Sequence, residues 1–157
     1  MVAMDCRFCD LLLQEDDDTL IMTLKYGKLF LNFNQCFNGR VMYVLSKHYN
    51  DIAEIELDEY CSISKELLMI SKVIKDIFSP DLINVVSLGN HVQHTHWHII
   101  PRYKNDSNWG HPPWPHGKNI LSREELKLKS KFIREQLIQN EYFKTFDLTS
   151  NSRRTIQ

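Results

Sequence analysis

Apolar positions along this chain change their period several times, and each change marks an element. From Leu57 to Phe78, the residues Tyr60, Ile63, Leu67, Ile70, Ile74 and Ile77 recur at steps of 3, 4, 3, 4 and 3. That spacing puts one apolar stripe on a helix, with Lys65, Glu66, Lys72, Lys75 and Asp76 between. Ser79-Pro80 ends it, because proline disfavours helical backbone in the residue before it. Ser122-Arg123-Glu124-Glu125 is a capping-box pattern. It opens a second helix, with Leu126, Ile133 and Leu137 facing inward, to about Gln139. Elsewhere the period is two or the apolar runs are short, as strands require. Five segments qualify: Thr19–Leu24, Lys28–Asn34, Arg40–Ser46, Leu82–Leu88 and Gln93–Ile100. Lys25-Tyr26-Gly27 and Asn38-Gly39 are short, turn-forming links, which favours antiparallel neighbours. After Cys6-Arg7-Phe8-Cys9, the apolar Leu11, Leu12 and Leu13 predict a short helix that Asp16-Asp17-Asp18 breaks. Asn105 to Lys118 holds three prolines, two glycines, two tryptophans and two histidines, so it predicts an irregular segment.

The pattern therefore predicts an α+β fold: five antiparallel strands and two main helices. A length of 157 residues predicts one domain, over 1–148, with 149–157 a polar tail. Charge adds mostly exclusions. There are 19 basic and 20 acidic residues, a net charge of -1, so no broad positive field points to nucleic acid. Apolar runs are too short to span a membrane. Met1 to Asp10 lacks the basic-then-apolar pattern of a secretory leader. The expectation is a cytoplasmic protein, in which cysteines act as thiols or metal ligands in preference to disulfides.

One stretch carries chemistry: His94-Thr95-His96-Trp97-His98-Ile99-Ile100-Pro101. In a strand, residues two apart share a face. Three imidazoles in register gain nothing by packing, and they offer a lone pair, a proton donor and a proton acceptor near neutral pH. Three readings follow: a metal site, a nucleophile with helpers, or incidental polar residues. The nucleophile reading needs one ring nitrogen protonated and held by an acceptor, with the other free to attack phosphorus. The middle histidine, flanked on both sides, suits that role.

The His-x-His-x-His-x-x motif of residues 94–100 resembles that of the histidine triad (HIT) superfamily. Leu88-Gly89-Asn90, Pro101-Arg102-Tyr103, Asp106 and Trp109 resemble one bacterial branch of it. The resemblance implies a HIT-like sheet continued across a homodimer, a nucleotide partner, and hydrolysis or nucleotidyl transfer on phosphoanhydride or phosphoramidate bonds, dinucleoside polyphosphates included. It implies His96 as nucleophile, His98 against the phosphate and leaving group, and His94 orienting the site. Asn32 matches a ribose-binding position and Gly89 a backbone contact to phosphate; Asn90 could add a donor. No cofactor is implied for the chemistry. Two positions depart from the family. Arg40 follows Gly39 where a histidine usually extends the relay behind the nucleophile, so the relay is shortened or Arg40 binds phosphate or a carboxylate. His91 replaces a small hydroxyl residue and could itself donate to phosphate. These departures keep open a rival reading, a nucleotide-binding or scaffold protein with little activity.

Cys6-Arg7-Phe8-Cys9 is half of a zinc site by spacing. The resemblance completes it with His48 and His94, a closed Cys₂His₂ set whose role would be structural. Cys36 and Cys61 have no partner at useful spacing. Trp109, His111, Trp114 and His116 form a wall over the nucleotide, a loop pinned by its own tryptophans, or a dimer contact. Arg102 and Lys104 have two readings, a contact to phosphate or, as expected here, solvated charge.

Overall fold

The computed structural model describes residues 5–151, with side chains as far as Phe146. Its elements are α1 (Arg7–Leu12), β1 (Leu20–Thr23), β2 (Gly27–Leu31), β3 (Val41–Leu45), α2 (Leu57–Phe78), β4 (Leu82–Val86), β5 (His96–Arg102), α3 (Arg123–Gln139) and α4 (Glu141–Asn151). The five strands form one antiparallel sheet in the order β1-β2-β3-β5-β4.

Alternation along the strands divides the side chains between two faces. Leu29 and Leu31 of β2, Val41, Tyr43 and Leu45 of β3, and Trp97 and Ile99 of β5 pack beneath the helices. Their cover is the predicted stripe of α2, with Ile63, Leu67, Ile70 and Ile74 buried, Tyr60 and Ile77 partly so, and Val73 buried beside them. Ile133 and Leu137 of α3 complete the layer. Phe30 and Val44 point the other way and meet Cys6 and Phe8 at α1.

The helix ends are built as their residues dictate. Ser122 accepts the Glu125 N–H, while the Glu125 carboxylate accepts the Ser122 N–H, so two orphan donors are satisfied together. Ser79 closes α2 in the left-handed region, with its N–H on the Lys75 carbonyl. One polar residue interrupts the covered face. Glu66 is buried on α2, but it accepts the N–H groups of Lys25 and Tyr26 and the Tyr43 hydroxyl. Burial pushes its carboxyl above the ordinary value.

Two elements differ from the expected pattern. β5 opens at His96, later than Gln93, and runs on through Pro101 to Arg102. Proline is tolerated there because β3 pairing ends at Ile99, and beyond it only β4 is alongside. α4 is an additional helix. Asn140 accepts the Tyr142 N–H at its start, and Phe143 and Phe146 pack against the core. The tail expected at 149–157 lies outside the described residues beyond Asn151, where α4 ends.

Candidate functional site

The site is built on the uncovered face of β5. His96, the first residue of the strand, is 6% exposed, and its Nδ1 lies 2.6 Å from the His94 carbonyl oxygen. A carbonyl only accepts, so Nδ1 carries the proton and Nε2 keeps its lone pair. The Phe8 ring meets the imidazole edge-on at 4.7 Å between centroids. Burial holds the His96 pKa below the ordinary histidine value, against the opposing pull of that carbonyl. The ring is neutral at pH 7 and has one free nitrogen.

His94 stands apart from the expected row. It occupies the turn before β5, with its N–H on the Val92 carbonyl. Its Nε2–H donates to the Leu45 carbonyl at 2.7 Å, so Nδ1 offers a lone pair. That lone pair faces Cys6 Sγ at 3.4 Å and Cys9 Sγ at 3.6 Å. His48 adds its Nδ1, 3.4 Å from Cys9 Sγ, while its Nε2–H donates to Asn50 Oδ1. The four ligand atoms lie within 4.8 Å of one another. Donors about 2.0–2.3 Å from a tetrahedral zinc lie about 3.3–3.8 Å apart, which is the spacing of the three contacts above. Two thiols and two imidazoles with their outer nitrogens already held are a chemically suitable set for zinc. With no cation, burial and the adjacent Cys6 push the Cys9 thiol up to about 11; a bound metal would reverse that. His96 and His98 are not members of this cluster. The reading of one metal held by all three histidines of the motif therefore fails.

His98 is neighbour to a cation. Arg40, 4% exposed, directs Nη2 to His98 Nδ1 at 3.5 Å and Nη1 to His116 Nε2 at 2.9 Å. Trp114 lies over the guanidinium at 5.2 Å and against the His98 ring at 5.4 Å. With Nδ1 accepting, His98 presents an Nε2–H. Burial, with Arg40 and the neighbouring imidazoles, pushes its pKa down to about 3, so it too is neutral.

These groups open on one cleft of about 1060 Å³. Its walls include His96, His98 and Arg40, together with the expected binding residues Asn32, Gly89, Asn90 and His91. His94 is not among the lining residues; it sits behind them, beside Cys6, Cys9 and His48. Gly89 has φ +67°, a left-handed conformation that other residues resist. Asn32 uses Oδ1 to accept the Asn34 N–H, which fixes the turn after β2. Gly39 supports the same corner. Its φ is +88°, and a Cβ there would come within 2.5 Å of the Phe78 ring.

The loop after β5 divides. Trp114 lines the cleft and His116 stands behind it against Arg40, whereas Trp109 and His111 do not line the cleft. Arg102, expected in solvent, is 3% exposed. It donates to Asp106 Oδ2 and Asn84 Oδ1, each at 2.9 Å, and to the carbonyls of His111 and Asn108 at 3.1 Å. This arginine anchors the loop that carries Trp114 and His116. The four-residue spacing of Arg102 and Asp106 was the available signal. Lys104 is exposed, as expected, beside Asp81. Nothing in the sequence pattern singles out Phe8, yet it is the residue between the two cysteines that touches His96.

Comparison with known proteins follows the same lines. The HIT domain family matches residues 14–105. An uncharacterized HIT-like protein of Methanocaldococcus jannaschii is 31% identical over 106 residues, which is 64% of this chain and 81% of that protein. A zinc-bound histidine triad family protein from Mycobacterium smegmatis has a TM-score of 0.65 at 17% identity, over 87% of this chain and 97% of that one. The diadenosine triphosphate hydrolase of Plasmodium falciparum has a TM-score of 0.64 at 19% identity, over 80% of each chain. The two structures share the fold. Among the described residues no helix is long and apolar enough to cross a membrane.

Proposed function

The chain belongs to the HIT domain family, and from that premise we propose that it cleaves a phosphoanhydride or phosphoramidate bond of a nucleoside phosphate through His96. The observation that carries this reading is the 2.6 Å bond from His96 Nδ1–H to the His94 carbonyl, which leaves a neutral Nε2 free at the wall of the cleft. The diadenosine triphosphate hydrolase with the same fold supports it.

In this mechanism Nε2 attacks the nucleotide phosphorus. An N–P bond forms, the bond to the leaving group breaks, and its electron pair departs with that group. The ring becomes cationic, and the His94 carbonyl stabilises the charge through Nδ1–H. His98 donates its Nε2–H to the oxygen that gains charge. Asn32 holds the ribose, and the Gly89 backbone with Asn90 and His91 receives the phosphate. Water then forms an O–P bond and releases a proton to solvent, and the N–P electrons return to His96. Zinc on Cys6, Cys9, His48 and His94 would have no open position, so it would supply a cross-link between α1 and the sheet and no chemistry on substrate.

The test is mass spectrometry of protein quenched during turnover of diadenosine triphosphate. A nucleotidyl adduct on His96 is expected, absent in His96→Asn. Turnover by His96→Asn at the wild-type rate would overturn the mechanism. Tight nucleotide binding with no turnover would favour a binding protein.

The same reading includes a homodimer joined through β4. This edge strand exposes Leu82 and Val85, at 48% and 45%. Light scattering should give twice the 18.6 kDa chain mass, and Val85→Lys should halve it. A monomer in the wild type would end that part of the proposal.

A further inference from the structure

Two arginines in this molecule are buried to nearly the same degree, and only one has its charge answered. Arg102 has a carboxylate, an amide oxygen and two carbonyls. Arg40 has none of these. Among the described residues no carboxylate pairs with it. Its Nη atoms reach two imidazole rings, His116 at 2.9 Å and His98 at 3.5 Å, and its buried Nε has no partner. Guanidinium does not lose its proton in proteins, so burial leaves a whole positive charge with most of its five donors unused. Its position is fixed. The Arg40 carbonyl accepts from Asn32 N–H and Gln35 Nε2, and the Trp114 ring lies over the guanidinium. Arg40 also lines the cleft beside His98. A preplaced, unpaired guanidinium at the wall of a ligand cleft is a receptor for an anion with planar oxygen pairs, such as phosphate.

We propose that Arg40 and His98 receive a leaving group that is itself a phosphate or polyphosphate. The preferred substrates are then nucleoside polyphosphates, over phosphoramidates, whose leaving group is a neutral amine. This rests on the phosphoryl-transfer reading above and narrows it. The protonation of His98 agrees. Held neutral near pH 7, it donates a hydrogen bond but has no spare proton for an amine. A phosphate departs as an anion and needs none.

The experiment compares the wild type with Arg40→Met, which keeps side-chain length and removes the charge. Arg40→Gln serves in its place should Met not fold. Calorimetry with inorganic pyrophosphate should show binding that weakens at least about 30-fold in the variant, while AMP affinity changes by less than about threefold. In parallel, the ratio of kcat/KM for diadenosine triphosphate over adenosine phosphoramidate should fall about 100-fold. Unchanged pyrophosphate binding would overturn the proposal. So would an equal fall on both substrates, which would reduce Arg40 to a positioning residue for His98. Arg40-dependent pyrophosphate binding in a protein that turns over neither substrate would sink the enzymatic reading and leave the anion site standing.

Discussion

The two faces of β5 are made by the same seven residues and differ in almost everything else. On one face Trp97 and Ile99 lie under α2 and α3, with Trp97 stacked on Tyr43 at 6.3 Å between centroids. That face is dry and closed. On the other, His96 and His98 stand 5.2 Å apart, between Phe8 and the Arg40–Trp114 pair. That face is also largely buried, yet each imidazole is oriented by one directed contact and keeps one nitrogen uncommitted. Burial serves shape on the first face and protonation state on the second. The lesson is that stability and chemistry sit on alternate residues of one strand, so substitutions should separate them.

The largest effects come from crossing the two faces. His96→Asn retains an amide N–H where Nδ1–H was and lacks the attacking nitrogen. Activity should fall by about 10³-fold or more with little change in thermal midpoint. Ile70→Ala, on the fully buried stripe of α2, should cost about 2–5 kcal/mol in urea unfolding, with normal kcat for the molecules that remain folded. The opposite pattern in either variant would break the separation.

A metal test sharpens the comparison, because the thiol cluster touches only the chemical face. Atomic emission should find one zinc per chain, and a strong chelator or Cys9→Ser should lower the unfolding midpoint. A ligand present at 1,000 times its Kd adds about 4 kcal/mol. Turnover should decline as well, since His94 carries the carbonyl that holds His96. Full stability in a metal-free protein would remove the zinc site from the account.

The smallest effect is acid sensitivity from His98. Its folded pKa, about 3, lies below the ordinary histidine value of 6.5. Between those values the unfolded chain binds the proton first, so stability falls as pH drops through that window. The slope from this one ring is at most about 1.4 kcal/mol per pH unit. His98→Asn should flatten the urea-unfolding profile between pH 6.5 and 5 relative to the wild type. An identical profile would show that this ring's burial contributes nothing to acid stability.

Much of the fold was legible in advance because it depends on local periodicity. The span of α2, the Ser122 capping box, five strands and their antiparallel sense follow from spacing and turn residues alone. The histidine motif and the Cys6–Cys9 spacing were legible for the same reason. Strand ends were less so. β5 begins at His96 because Thr95 and His94 spend their groups on Tyr49 and Leu45, partners about 45–50 positions away in sequence and visible only once folded. α4 is not legible in the sequence because its apolar face is short and means little until α2 and α3 are there to receive it.

By itself, the sequence determined which residues alternate, where helices start and stop, and that three imidazoles and two thiols were available. Folding in three dimensions decided what each was for. It assigned His94 to the thiols and His96 to the cleft, buried Arg102 with a carboxylate and Arg40 without one, and brought His116 to Arg40 across 76 positions. Periodicity is a property of neighbours along the chain. Protonation, tautomer and unpaired charge depend on which distant groups arrive within a few ångströms, and local spacing does not encode that.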